Sequence, residues 1–383
     1  MKDRAVFFFG VAALLLACGT LLLAQEKTSG PWIMQSSGTT AGLRGIHAVG
    51  GGVAWASGTG GTVLRTEDGG YMWQRCAMPP EAEKLDFRGI WAWDADTAVV
   101  MSSGPGDQSR IYKTTDGCSH WKLLFTNPDK DGFWDAMGFI TEKPYRSSRK
   151  TNAPYQGFLV GDPVNGSFVI YATTNSGETW HKWIKSKSYH PVASQPGESL
   201  FAASDTSILV PGSNGPFAFV TGGKSGSRLL LAQYHSPFDA ARWLSFTVIP
   251  LRFPAGADSG AFSIASRRFG NGSRADLMIV GGDYSHPNEP GNSAFVSGRP
   301  RIGGMHNTQY PTKPPHGFRS AVAWDADAKA WIAAGTNGSD ISYDDGKTWA
   351  PLDNGNWNAL SLPWIVGPHG RIARLDSKRL PKR

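Results

Sequence analysis

A chain of 383 residues with 47 glycines, 25 prolines and 15 tryptophans, of which only 18% are charged, suits many short strands joined by tight turns rather than helices. A hydrophobic content of 40% speaks against disorder. The formal net charge of +7 favours acidic surfaces, yet no Lys/Arg run of the nucleic-acid type occurs, and the closing KRLPKR reads as a frayed, solvated tail.

In chain order, the first element is a leader. Lys2 and Arg4 precede an almost unbroken apolar run ending at Ala24, and Gln25 opens a polar stretch. A basic start followed by an apolar core is the pattern of an export signal, so residues 1–24 are set apart from the fold. Three outcomes fit: cleavage after Ala24, lipidation at Cys18 within Leu15-Leu16-Ala17-Cys18, or retention as an anchor just long enough to span a bilayer. Each places the rest of the chain in an exported setting, periplasmic or extracellular, with retention tying it to the membrane.

From residue 43 onward the text repeats. A strand-like opening (LRGIHAV, FRGIWAW, FRSAVAW) is followed by a second strand ending in glycine (VAWASG, AVVMSSG, AWIAAG) and a third short strand (TVLRT, RIYKT, DISY). An acidic turn comes next, and a last strand begins at tryptophan. Four short strands at a period near fifty residues are the pattern of a propeller blade. The blades count out as 43–78, 87–125, 133–183, 197–249, 259–302 and 317–353, with a seventh beginning at 356 and stopping at 376 after three strands. Its fourth strand is sought at the other end of the chain, where GPWIMQSSG (30–38) resembles TWAPLDNG (348–355). Closing the ring in this way removes open sheet edges.

The acidic turn occurs as TEDGGYMW, TTDGCSHW, TTNSGETW and SYDDGKTW, the spacing of the Asp box. An Asp side chain can accept backbone N–H bonds from residues just ahead and fix a tight turn, and glycine supplies the positive φ. Asp68, Asp116, Asn175 and Asp344 are therefore read as structural, with Trp73, Trp121, Trp180 and Trp349 wedged against a neighbouring sheet. Outside the leader only Cys76 and Cys118 remain, in consecutive repeats. They form a disulfide in an oxidising compartment or stay as two half-buried thiols; spacing alone does not decide. Asn127–Gly132 mimics the start of a calcium loop, but Gly138 stands where the bidentate Glu belongs, so an inter-blade turn is expected and no metal site.

Aligning the blade openings places Arg44, Arg88, Asp135, Glu198, Gly260, Arg319 and Asn358 at equivalent positions. The innermost strands of a propeller line its central channel, so these residues should ring one mouth. Polar residues suit any wet channel mouth; guanidiniums there could also engage carboxylates of a partner. Nucleophile elbows, phosphate loops and HExxH are absent, and no Arg-Ile-Pro of the sialidase kind precedes Asp68.

LRGIHAV…WASGTGGTVLRTEDGGYMW, FRGIWAWDADTAVVMSSG, GFLVGDPVNGSF, GESLFAAS and VGPHGRIARLD together resemble the photosystem II stability/assembly factor family of seven-bladed propellers and its non-photosynthetic bacterial relatives. The resemblance implies an exported, cofactor-free scaffold that binds an assembling membrane protein, with Arg44, Arg88 and Arg319 as the arginine patch. The expectation is one all-β domain over 25–376, a seven-bladed β-propeller of four-stranded antiparallel blades closed by the N-terminal strand, with a basic tail at 377–383. It is expected to be a monomeric, non-enzymatic binding or assembly factor for a membrane-associated protein, without cofactor, metal or nucleic acid. An Asp-box glycosidase and a solute-binding propeller are the alternatives.

Overall fold

The computed structural model describes residues 30–140, 155–183, 192–210, 217–232, 246–269, 274–297 and 307–382. The leader, including Cys18, lies outside them. Seven antiparallel sheets follow one another around a ring. Blade 1 begins with strand Leu43–Gly50, blade 2 with Phe87–Ala92, blade 3 with Trp134–Phe139, blade 5 with Ser259–Phe269, blade 6 with Ala321–Asp325 and blade 7 with Ala359–Ser361. The outer strand of blade 7 is Trp32–Gln35, paired to Ile372–Leu375, which is the closure expected from the sequence. Helical structure among the described residues amounts to two 3-10 turns, Gly106–Gln108 and Ser377–Arg379.

Blade faces are buried on both sides, which explains why the second strands read as continuous apolar runs. Alternate residues feed opposite interfaces. Trp55 packs towards blade 2 while Ala54 and Ala56 pack towards blade 7, and Val99 and Met101 face blade 3 while Ala98 and Val100 face blade 1. Each of the seven blade junctions holds its own apolar cluster among the described residues.

The four acidic turns are built alike. In each, the opening hydroxyl (Thr66, Thr114, Thr173 or Ser342) donates to Oδ1 of Asp68, Asp116, Asn175 or Asp344 at 2.9 Å. That same oxygen accepts the N–H four residues on, from Met72, His120, Thr179 or Thr348, at 2.9–3.0 Å. The turn tryptophans press on the preceding blade: Trp73 meets Trp364 edge-on at 5.3 Å, Trp121 meets Trp55 at 6.5 Å, Trp180 joins the cluster between blades 2 and 3, and Trp349 donates to Ser293 Oγ at 3.0 Å.

Cys76 and Cys118 form a disulfide that ties the outer edge of blade 1 to the acidic turn of blade 2. Cys118 holds φ +65° where the other three turns use glycine. The Asn127–Gly132 segment is an inter-blade turn: Asn127 Oδ1 accepts the Asp129 N–H, and Asp129 takes the Tyr171 hydroxyl at 3.0 Å. Among the described residues no cluster of three metal-ligating side chains occurs.

Three expectations need correction. The C-terminal tail is docked rather than frayed, since Leu380 packs on the cluster between blades 6 and 7 and Tyr343 donates to the Pro381 carbonyl. Blade 5 runs on to Asn307–Gln309, beyond 302. The opening of blade 4 is split into Glu198–Ser199 and Ile208–Leu209. Glu198–Ser199 pairs with Gly222–Gly223, and Gly222 in turn pairs with Gly260, so this piece is joined to the sheet of blade 5. The residues between the two halves leave the blade and enter the channel.

Candidate functional site at the channel mouth

Four innermost strands carry a bulge at their opening. Leu43 pairs with Gly58 and Gly45 with Ser57, which leaves Arg44 as the extra residue. Arg88, Asp135 and Phe262 are the extra residues in blades 2, 3 and 5 by the same count. A bulge releases one residue from the ladder and re-aims its side chain, here into the channel.

A glycine on the second strand fixes which residue this is. Gly58, Gly161, Gly223, Gly281, Gly335 and Gly367 each lie against the carbonyl that precedes the inner-strand opening, where a Cβ would collide. That contact aligns six blades, the bulge and the Ser103 N–H bond to the Asp86 carbonyl place blade 2 in the same frame, and Arg44, Arg88, Asp135, Ser199, Phe262, Ser320 and Asn358 are the equivalent residues. All seven line a single cavity of about 470 Å3. The sequence alignment was right in blades 1, 2, 3 and 7. It was one residue early in blades 4 and 6 and two early in blade 5.

A one-residue slip sends a side chain to the opposite face, and the consequence is concrete. Arg319 is 0% exposed and points into blade 6, where Nε bonds Asp340 Oδ2 at 2.6 Å and the guanidinium also reaches Asn337 and His316. Glu198 is likewise buried, paired with Arg228 at 2.5–2.7 Å and accepting the Thr221 hydroxyl at 2.6 Å. Gly260 sits at the junction of blades 4 and 5. These three are scaffold rather than mouth residues, and Ser199, Phe262 and Ser320 replace them.

The channel beneath the mouth is closed by segment 200–207. Its Leu200 N–H donates to Asp162 Oδ1 at 3.0 Å in blade 3, and its Ala202 carbonyl accepts from Arg88 at 3.1 Å. Ser204 Oγ donates to the Ser320 carbonyl in blade 6 at 2.6 Å. Asp205 accepts the N–H groups of Ile90 at 3.2 Å and Met137 at 2.7 Å, tying blades 2 and 3 together. The Thr206 carbonyl accepts from Ile264 N at 2.8 Å in blade 5. The result is a blind bowl.

The wall of the bowl is divided. On blades 1 to 3, Asp86 takes Arg88 Nε at 2.8 Å and stands 3.9 Å from Arg44 Nε. The Arg44 side chain is 34% exposed. Asp135, 1% exposed, and Asp162 stand beside this pair. Burial, and then the neighbouring Asp162, push the Asp135 carboxyl well up, against the pull of Arg88. Burial pushes Asp162 up to about 6, against its bond from Leu200 N. On blades 4 to 6 the wall is aromatic: Phe201 stacks on Phe262 at 3.9 Å, Phe318 meets Phe262 edge-on at 4.7 Å, and Tyr284 stands beside them. Asp162 and the aromatic wall escaped the sequence reading, although GDPVNG and GESLFAAS had marked their neighbourhoods.

No protein-family model matches the sequence, and no curated protein matches it. Solved structures do. YCF48 bound to D1 peptide aligns at a TM-score of 0.56 and 15% identity, covering 91% of this chain and 97% of that one. YCF48 from Cyanidioschyzon merolae aligns at 0.55 and 18% identity, covering 91% and 100%. The GH74 xyloglucanase from Xanthomonas campestris aligns at 0.53 and 14% identity, covering 92% of this chain but 55% of its own length. YCF48 is a photosystem II assembly factor, so the group to which the blade motifs pointed is among these neighbours. The chain shares the seven-bladed propeller fold with YCF48 and with a glycoside hydrolase, and at these identities the likeness is one of fold.

Proposed function

We propose that the protein is an exported, non-enzymatic scaffold that takes a segment of a membrane-associated protein into the bowl. The observation that carries this reading is the mouth itself: seven equivalent positions converge on one cavity, with Arg44 partly open to solvent on one side and an aromatic wall on the other. Charged donors on one wall facing aromatic rings on the other suit capture of a peptide segment. The neighbour solved with a bound D1 peptide supports the same use of the fold. The Cys76–Cys118 disulfide fits an oxidising compartment. The test is capture of partners from the native host by wild type and by Arg44→Glu. Loss of one membrane-associated partner in the folded variant is expected; equal capture would refute the reading.

A second reading is favoured by the Asp135–Asp162 pair. Two carboxyls in one cleft, both pushed up by burial and Asp135 further by its neighbour Asp162, are the components of acid/base glycoside hydrolysis. Turnover of a glycoside panel that disappears in Asp162→Asn would establish it, and absence of turnover across the panel would remove it.

A further inference from the structure

The bowl has two poles of opposite character and an apolar side, and each pole keeps an uncommitted polar atom. At the basic pole Arg44 Nε is buried and has no hydrogen-bond partner among the described residues, and Asp86 is 3.9 Å away, too far to supply one. At the acidic pole Asp135 is 1% exposed, and its Oδ2 accepts no hydrogen bond among the described residues. Asp162 uses one oxygen on Leu200 N. Arg88 offers Asp135 its charge, but its Nε and one terminal nitrogen are spent on Asp86 and the Ala202 carbonyl. Both poles line the same cavity as the stacked Phe201 and Phe262.

We propose that the bowl is a binding site for a zwitterion with an apolar side chain, that is, an α-amino acid. Its carboxylate meets Arg44, its ammonium meets Asp135 and Asp162, and its side chain lies on the rings of Phe201 and Phe262. An ammonium has three donors and no acceptor, so it satisfies two adjacent carboxyls that otherwise repel. A guanidinium is the matching partner for a carboxylate. The basic pole stands on blade 1 and the acidic pole on blade 3, with Arg88 of blade 2 between them and close enough to act on Asp135, and their shared lining of one small cavity suits a ligand that carries its ammonium and carboxylate on a single carbon. A simple anion leaves the acidic pole unpaired and a simple amine leaves Arg44 unpaired, so each is discriminated against. This ligand goes beyond the protein-partner reading, and its test needs no partner.

The experiment is titration calorimetry of the purified protein with L-phenylalanine, N-acetyl-L-phenylalanine and phenethylamine at millimolar concentration. Phenylalanine should bind at one site. Each single-charge analogue should bind about tenfold or more weakly, the range expected for losing one charge-assisted hydrogen-bonded group. Asp135→Asn should lose phenylalanine, and so should Arg44→Gln, a rim variant whose fold is checked by circular dichroism. The proposal is overturned if no probe binds, if N-acetyl-phenylalanine binds as well as phenylalanine, or if a xyloglucan oligosaccharide binds instead and depends on the same two residues. Loss of partner capture in Arg44→Glu with no amino-acid binding would leave the scaffold reading standing and this one refuted.

Discussion

Removing the Asp205 carboxylate should loosen the floor of the bowl. Asp205 sits at φ +63° in the segment that closes the channel and accepts the N–H groups of Ile90 and Met137. Asp205→Ala leaves both donors without this acceptor, and each such loss costs about 1–3 kcal/mol. The carboxyl is enclosed while the rest of the residue is half-exposed, so water can enter the space left by the truncated side chain, and the low end applies, about 2–3 kcal/mol in total. The pH dependence separates this carboxyl from a generic contact. Burial outweighs the two N–H bonds and holds its pKa well above the ordinary value. The native state therefore keeps a proton that the unfolded chain releases near pH 4, and stability falls as pH rises through the folded value. Asp205→Asn cannot titrate, so its stability deficit relative to wild type should narrow as pH rises. Urea unfolding of wild type, Asp205→Ala and Asp205→Asn across that range reads both effects. An Asp205→Ala stability within about 0.5 kcal/mol of wild type, with unchanged amide exchange at Ile90 and Met137, would refute the role.

The Cys76–Cys118 bridge closes a loop with a sequence separation of 42, for which chain entropy gives about 4 kcal/mol; replacing both cysteines with serine should lower the melting temperature and abolish its sensitivity to reductant. Arg319→Met should cost about 3–5 kcal/mol by stranding the buried Asp340, while partner capture by the protein that does fold stays at the wild-type level. His47 stacks on Trp91 at 4.2 Å and accepts the Ala92 N–H at 3.0 Å, and burial pushes its pKa down to about 4. The unfolded chain binds this proton near pH 6.5, so stability should fall by about 1–2 kcal/mol between pH 7 and 5, and His47→Gln should remove that part of the slope in denaturant titrations.

The architecture was legible because repetition is a long-range signal that survives local irregularity. The likeness of residues 30–38 to 348–355 disclosed the closure of blade 7, and the four acidic turns marked blade corners even where Cys118 or Asn175 departed from the pattern. The mouth was legible only in part, and the reason is geometric. FRGI in blade 2 and FRSA in blade 6 look alike, yet Arg88 is a bulge residue aimed into the channel and Arg319 belongs to the close glycine contact before the paired strand. Glycine in the second strand, Gly335 opposite Phe318, is the mark that sets the register. The floor was invisible for a different reason: residues 200–207 follow Glu198–Ser199 as though continuing a strand, and only their bonds to blades 2, 3, 5 and 6 show that they leave it.

The central claim is that the partner enters at the mouth, and photo-crosslinking in the native host tests it most directly. A photoreactive residue placed at position 262 in the aromatic wall is compared with one at Tyr71, which is 94% exposed at the far end of blade 1. The account predicts a single membrane-associated protein crosslinked from position 262, lost when Arg44→Glu is added, and no such product from position 71. The same partner crosslinked from position 71 and not from 262 would contradict it.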